Sequence, residues 1–490
     1  MPVNGITTRS LLALALVALA GCSGPTREAA APDTEVITDE ERSITARRAS
    51  IEGARLQFEA GQSDEALREA LKSVAWSRSA RQDLRLEALE ALVADEANID
   101  DTRTMLRLMI PTESAWSEWD VLRYMGEVAD TRGWTDLAPA FVASLARVRP
   151  QAPDRERPEY EALVKLVGEE QIPDLVFDVF AGLSDGAMTR ERDRLDAWSL
   201  LNRLDPDGVR TGQRLRALTV SGADDPLLAA LTRAASELGV VATTGEELAW
   251  LDRLSETRHD SFWATASGAV RVLSDAQRTG LALRHLPAIV WTSRHAPQWL
   301  GSSRDDLLAH IERRLDGRVT YLRGGTRSSG QRELFRRTRD GLAWGDALVV
   351  CVALEALDDT GLAAELFRQA DLDHNDRSTE HGGVITGDPS GALFFATHYP
   401  PRPSQRFGDN RFVAAPEMIE QSADALLHYH FHASELRYAE YAGPSAGDLD
   451  YSAHYGRAAL VFTFVDPDTL AVDYYQPDRT VVDLGAIERP

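Results

Sequence analysis

Apolar residues recur at helical spacing through most of the chain, from about residue 41 to residue 359. Leu84, Leu89 and Leu92 are one such set, and residues spaced in this way fall on one face of an α-helix. Breakers such as Gly61 separate successive sets. The pattern predicts helical hairpins that recur every ~35 to 40 residues, which makes residues 41–359 an α-helical, repeat-like (solenoid) region.

The pattern changes after about residue 360. Glycine, proline and tyrosine become more frequent, and seven of the eleven histidines lie between His374 and His454. Short runs rich in apolar residues, typical of strands, occur at 391–397, 460–465, 470–475 and 480–484. We therefore expect a second domain of α/β character over residues 360–490.

The N-terminus has the features of a targeting segment. The apolar run from Leu11 to Ala20 is too short to cross ~30 Å of hydrocarbon as a helix. It leads into Leu-Ala-Gly-Cys at 19–22, which resembles the lipobox of bacterial lipoproteins, where the cysteine carries the lipid. The resemblance implies a signal peptide over residues 1–22 and lipidation of Cys22. The composition of residues 23–40 predicts a flexible tether.

The residue after the cysteine bears on where the protein resides. Ser23 follows Cys22, and in the better-known lipoproteins a serine there favours the outer membrane over the inner membrane. We expect a lipid-anchored protein of the cell envelope. The alternative is an ordinary signal peptide in which Cys22 is incidental.

Composition restricts the class of protein further. With 490 residues, 43% of them hydrophobic and 27% charged, the chain is expected to form two or three soluble domains. The net charge of −24 argues against nucleic acid as a partner. Cys351 is the one cysteine besides Cys22, and its apolar neighbours predict a buried thiol. With Cys22 lipidated, Cys351 would have no disulfide partner.

Three histidines alternate within the C-terminal domain, at His428, His430 and His432. On a strand these three side chains would share one face. Two imidazoles and one carboxylate are a common ligand set of catalytic zinc sites, in which water takes the remaining position. Acidic residues occur both upstream and downstream of the histidines, so the sequence predicts a metal site here.

The order of these residues resembles the JAMM (MPN/JAB) family of zinc metalloproteases. That family has an upstream Glu, often as Glu-x-x-Gly-x-φ-x-Gly, then His-x-His, then Ser-x-x-Asp. The run from Glu380 to Gly387 fits the first element, His430 and His432 fit the second, and the residues at 445–448 fit the third. The resemblance covers about residues 360–490. Twelve residues separate the second and third elements here, where the family has about eight.

The resemblance implies a role for each residue. His430, His432 and Asp448 would hold Zn²⁺, Glu380 would act as general base, and Ser445 would donate a hydrogen bond to the oxyanion. The implied activity is hydrolysis of a peptide or isopeptide amide bond in a peptide or protein substrate.

Several alternatives stay open at this point. His428 and His430 could be the metal-binding pair instead of His430 and His432. The protein could also be a non-catalytic scaffold, with a structural or sensory metal site and a helical region that binds a protein partner. Asp371-x-Asp373-x-Asn375 has the start of a calcium-loop spacing, but Asp376 stands where that loop requires glycine. A solvated helix end is the simpler interpretation of that segment.

Overall fold

A computed structural model describes residues 31–113, 119–149, 152–183, 191–206, 208–219, 225–322, 326–328, 331–408, 411–436 and 442–490. The signal peptide, Cys22 and the first part of the expected tether lie outside these residues. The helices are α1 (Thr34–Thr38), α2 (Ile44–Glu59), α3 (Glu65–Trp76), α4 (Gln82–Ala94), α5 (Ile99–Met109), α6 (Trp119–Arg132), α7 (Ala138–Ala146), α8 (Pro158–Val167), α9 (Ile172–Phe180), α10 (Glu191–Leu204), α11 (Val209–Thr219), α12 (Pro226–Glu237), α13 (Gly245–Leu254), α14 (Asp260–Arg271), α15 (Asp275–Arg278), α16 (Leu286–His295), α17 (Arg304–Leu315), α18 (Gln331–Thr338), α19 (Trp344–Leu357), α20 (Thr360–Asn375), α21 (Pro416–Gln421) and α22 (Ala446–Tyr455). The strands are β1 (Thr320–Leu322), β2 (Thr326–Ser328), β3 (Gly382–Gly387), β4 (Phe394–His398), β5 (Leu427–His432), β6 (Ala459–Asp466), β7 (Thr469–Tyr475) and β8 (Val481–Glu488).

The chain divides into two compact units. Among the described residues, the first unit contains 31–109, 113 and 119–125, and the second contains 110–112 and those from 126 onward. In the first unit, α3 packs against α4, and Asp64 caps α3 by accepting a hydrogen bond from the Leu67 backbone N–H at 2.9 Å. Helix α1 falls within the expected tether, and its Ile37 is fully buried. Residues 34–38 therefore belong to the folded part of the chain.

The second unit combines helices with the larger sheet. Neighbouring helices pack in pairs, among them α7 with α8, α9 with α10, α12 with α13, and α17 with α19. The helical pattern expected for residues 41–359 is confirmed, with the short antiparallel hairpin β1–β2 as an exception. The division at residue 359, which composition suggested, falls inside this unit. Cys351 is fully buried in α19, as its apolar neighbours predicted.

The larger sheet has six strands in the order β4-β3-β5-β6-β7-β8. Neighbours are antiparallel except β5 and β6, which are parallel and are joined through α22. The four strand runs expected from the sequence are present with slightly different bounds. The C-terminal α/β character is therefore confirmed. Helix α20 packs against this sheet, where its Gln369 side chain accepts a hydrogen bond from the Tyr429 hydroxyl of β5.

No helix among the described residues combines the length and the apolar character needed to cross a bilayer.

Candidate metal centre

Strand β5 brings two imidazoles together. His430 and His432 are separated by one residue, so their side chains lie on the same face of the strand. Their Nε2 atoms are 3.2 Å apart. The two residues are 1% and 8% exposed, respectively. Two buried ring nitrogens at this separation can bind one metal ion.

Helix α22 adds a carboxylate. Asp448 places Oδ1 3.2 Å from the Nε2 of His430 and Oδ2 3.6 Å from the Nε2 of His432. A capping box fixes the start of this helix: Ser445 Oγ accepts from the Asp448 N–H at 3.3 Å, and Asp448 Oδ2 accepts from the Ser445 N–H at 2.6 Å. The cap therefore orients the carboxylate that faces the two rings.

Glu380 contributes a second carboxylate near His432. In the antiparallel pair of β3 and β5, Gly382 is opposite His430. Continuing this register by two residues sets Glu380 opposite His432, and its Oε1 is 3.8 Å from the Nε2 of that ring. One possible ligand atom from each of Glu380, His430 and His432 lies within 4.8 Å of the others.

These distances fit a tetrahedral metal. Zinc binds histidine nitrogen and carboxylate oxygen at ~2.0–2.2 Å, so two ligands of one tetrahedral ion lie about 3.3 Å apart. The two ring nitrogens are 3.2 Å apart, and Asp448 approaches the two rings through different oxygens, with Oδ1 3.2 Å from His430 and Oδ2 3.6 Å from His432. All three side chains are also of the types that zinc binds. The two imidazoles therefore fit one zinc ion by their separation, and the nearby Asp448 and Glu380 carboxylates fit it by their chemistry.

The electrostatics of the cluster follow from burial and proximity. Burial alone would raise the pKa of Asp448, but the two imidazoles outweigh burial and hold that pKa below its usual range. Burial would likewise lower the pKa of His430, yet Asp448 outweighs this effect and raises it. The carboxylate is therefore ionised beside the rings, as a metal ligand must be.

The third histidine of the strand has other partners. His428 Nδ1 is 2.9 Å from the Tyr451 hydroxyl, and its Nε2 is 3.1 Å from Ser422 Oγ. Burial lowers the pKa of His428 well below the usual value, and the nearby guanidinium of Arg457 acts in the same direction. His428 is thus a neutral ring with both nitrogens engaged, and the structure favours His430 and His432 as the metal-binding pair.

Ser445 is brought near the cluster through Asp448. Its side chain is exposed at the first turn of α22, and its Oγ accepts the backbone N–H described above. A hydroxyl that accepts in this way keeps its own proton available for donation. Of the sequence-predicted sites, Cys22 lies outside the described residues.

Two further side chains that sequence reasoning missed surround His430. The Tyr475 hydroxyl is 3.3 Å from His430 Nδ1, where a ligand histidine commonly donates its second N–H. The Phe412 ring stacks on the imidazole with a centroid distance of 5.2 Å and an interplanar angle of 17°. Neither residue belongs to a local motif, so only the fold reveals them.

Asp373 of α20 is the third missed residue. It is 2% exposed, and its two carboxylate oxygens accept the backbone N–H groups of His381 and Ala433 at 2.6 and 3.1 Å. Burial raises the pKa of Asp373 to about 7, although the two N–H groups act in the opposite direction. The calcium-loop spacing in the sequence included this residue but indicated a different role.

Comparisons with protein-family models, with curated proteins and with solved structures find no match to this chain.

Proposed function

We propose that the protein is a zinc-dependent hydrolase of peptide or isopeptide amide bonds. The observation that carries the proposal is the convergence of the His430 and His432 ring nitrogens at the separation of a tetrahedral site, with the Asp448 and Glu380 carboxylates beside them. The order of these residues along the chain is similar to that of the JAMM metalloproteases, which supports an amide bond as the substrate.

The roles of the residues follow from their positions. His430, His432 and Asp448 would hold the ion. Bound zinc supplies a water whose pKa is near ~7 and a Lewis acid that polarises a carbonyl. Glu380 would accept a proton at its carboxylate and deliver it to the leaving amine. The exposed Ser445 hydroxyl would donate to the oxygen of the tetrahedral intermediate.

Two further proposals concern the rest of the molecule. Cys22 would carry lipid and anchor the protein in the cell envelope, with the outer membrane favoured by Ser23. The helical region would then bind a protein partner or the substrate itself. The net charge of −24 supports a protein partner over a nucleic acid.

A structural or sensory metal site is the second candidate. The observation that favours it is burial, because Glu380, His430, His432 and Asp448 are each between 1% and 8% exposed. A structural zinc site is closed by four protein ligands. In that case Glu380 would be the fourth ligand, and the ion would have no position for water.

Replacing Glu380 by Gln separates these candidates. The mature full-length chain should bind about one zinc ion, measured by elemental analysis after dialysis. As a base, Glu380 is not a ligand, so Glu380→Gln should retain the zinc and lose activity by about 10²–10⁴-fold on a quenched-fluorescent peptide library. Glu365→Gln, on the surface of α20, is the matched control and should match the unsubstituted protein in both assays.

The other outcomes are equally informative. Loss of zinc in Glu380→Gln would make Glu380 a ligand and favour the closed, structural site. Retention of both zinc and full hydrolysis would refute the role of Glu380 as base.

A further inference from the structure

The carboxylate of Asp373 is shared between two segments of the metal centre. Oδ1 accepts the N–H of His381 at 2.6 Å, and Oδ2 accepts the N–H of Ala433 at 3.1 Å. His381 directly follows Glu380, and Ala433 directly follows His432. One side chain from α20 therefore holds the backbone beside the candidate base and beside a candidate ligand.

The hydrogen-bond ladder between β3 and β5 explains why this side chain is needed. Paired residues of the two strands end at Gly382 and His430, and the last backbone bond runs from the Phe431 N–H to the His381 carbonyl at 3.0 Å. Glu380 and His432 lie just beyond that bond. Asp373 continues the connection where the two backbones no longer pair directly.

Only a carboxylate performs this task among short side chains. Two backbone N–H groups require two acceptor oxygens, and an amide of the same size offers one oxygen and one donating NH₂ group. With Asn at this position, one buried N–H would lose its acceptor. The choice of Asp373 over its isosteric amide is therefore explained by geometry.

We propose that Asp373 is a positioning residue that fixes the separation of Glu380 from His432. This inference rests on the proposed function for its consequence, since those two residues are the candidate base and a candidate zinc ligand. The structural claim, that Asp373 connects two backbone N–H groups, depends only on the two hydrogen bonds.

The main test is Asp373→Asn in the mature full-length chain. Amide hydrogen exchange, followed by mass spectrometry over peptides that contain His381 and Ala433, should become faster in this variant. Zinc affinity, measured by competition with a chelator, should fall about 10–100-fold, the usual effect of removing an outer support of a metal site. The absorption spectrum of the Co²⁺-substituted protein should change as well, which a distant structural defect would not cause.

Two variants on the same helix serve as controls. Asp371→Asn removes a surface ion pair with Arg489 and should leave exchange, zinc affinity and the Co²⁺ spectrum unchanged. Gln369→Ala loosens the contact of α20 with Tyr429, and it should lower stability without changing the Co²⁺ spectrum. If Asp373→Asn does not fold, Asp373→Glu retains both acceptor oxygens one methylene further out and should fold with an altered spectrum.

The results separate this inference from the proposed function. If the unsubstituted protein binds no zinc, the proposed function fails, while faster exchange at His381 and Ala433 in Asp373→Asn still supports the connection through Asp373. Unchanged exchange at both amides overturns the positioning role whether or not zinc binds. Wild-type zinc affinity and an unaltered Co²⁺ spectrum in both Asp373 variants would also overturn it.

Discussion

At the scale of single residues, neighbours in space separate three histidines that are equivalent in sequence. His428, His430 and His432 share one face of β5, but His428 has different neighbours from the other two. His428 meets the Tyr451 and Ser422 hydroxyls, whereas the other two rings meet each other and Asp448. A carboxylate beside two imidazoles is a common zinc ligand set, and of these three rings His430 and His432 are the two that face one.

Alanine substitutions along β5 test this difference. His430→Ala and His432→Ala should each abolish tight zinc binding, because each removes one of the three proposed ligands. His428→Ala is the matched control from the same strand face and should retain zinc at full occupancy. Elemental analysis of the three purified variants provides the measurement. Zinc retained in His432→Ala but lost in His428→Ala would assign the pair to His428 and His430.

At the scale of secondary structure, glycines set how closely the strands approach. A Cβ at Gly383 would overlap the carbonyl oxygen of Thr397 on β4 and the hydroxyl of Tyr429 on β5. A Cβ at Gly382 would overlap the ring of Phe412, which stacks on His430. The Gly-Gly pair that follows His381 therefore keeps β3 close to both neighbours and lets Phe412 stack on His430.

Gly383→Ala should consequently destabilise the protein. Overpacking a well-packed interior typically costs about 1–3 kcal/mol, and a clash with backbone places this site near ~3 kcal/mol in the free energy of unfolding. Gly268→Ala in α14 is the control, since a Cβ there meets no atom within 4 Å and helix propensity favours alanine. Urea denaturation of both variants measures the difference. Equal stability of Gly383→Ala and the unsubstituted protein would contradict the close approach of β3 and β4.

At the scale of the second unit, helices from before residue 360 pack against the C-terminal sheet domain. The indole N–H of Trp250 on α13 donates to the Ala423 carbonyl at 2.7 Å, and the buried guanidinium of Arg457 lies 3.3 Å from the centre of that ring. Trp291 on α16 stacks on Phe394 of β4 at 5.2 Å. These contacts join elements that the composition of the chain had separated.

A fragment comparison tests this integration. Residues 360–490 alone would lose the partners of Phe394 and Arg457, so this fragment should lack a cooperative thermal transition and should bind a dye specific for exposed apolar surface. The fragment 126–490 retains those partners and should unfold cooperatively. Calorimetry on both fragments provides the measurement. A cooperative transition in 360–490 would show that the sheet domain is autonomous.

The predicted attachment of the molecule to a membrane would depend on Cys22, which lies outside the described residues. If acylation supplies the membrane affinity, Cys22→Ala should move the protein from the membrane fraction to the soluble fraction. Cys351→Ala is the matched control, because that thiol is fully buried in α19 and should not affect fractionation. Unchanged fractionation and an unchanged mass on lipid-directed treatment would contradict the lipoprotein prediction.

The sequence alone determined the type and approximate place of most elements, because periodicity is a local property. The spacing of Leu84, Leu89 and Leu92 predicted helix α4, and the apolar run at 470–475 predicted strand β7. The hairpin β1–β2 was missed because three residues per strand are too few to establish a period of two.

For the candidate site as well, the sequence predicted one part and only the tertiary structure showed the other. Residue types and spacing singled out Glu380, His430, His432 and Asp448, since few side chains can bind zinc or accept a proton. Only the tertiary structure decided which histidines converge, because the hydrogen-bond partners of each ring are residues that lie far away in sequence. It also revealed Asp373, whose role depends on two backbone N–H groups, 8 and 60 residues further along the chain. Local sequence patterns do not predict contacts between residues so far apart, so the fold was needed to find them.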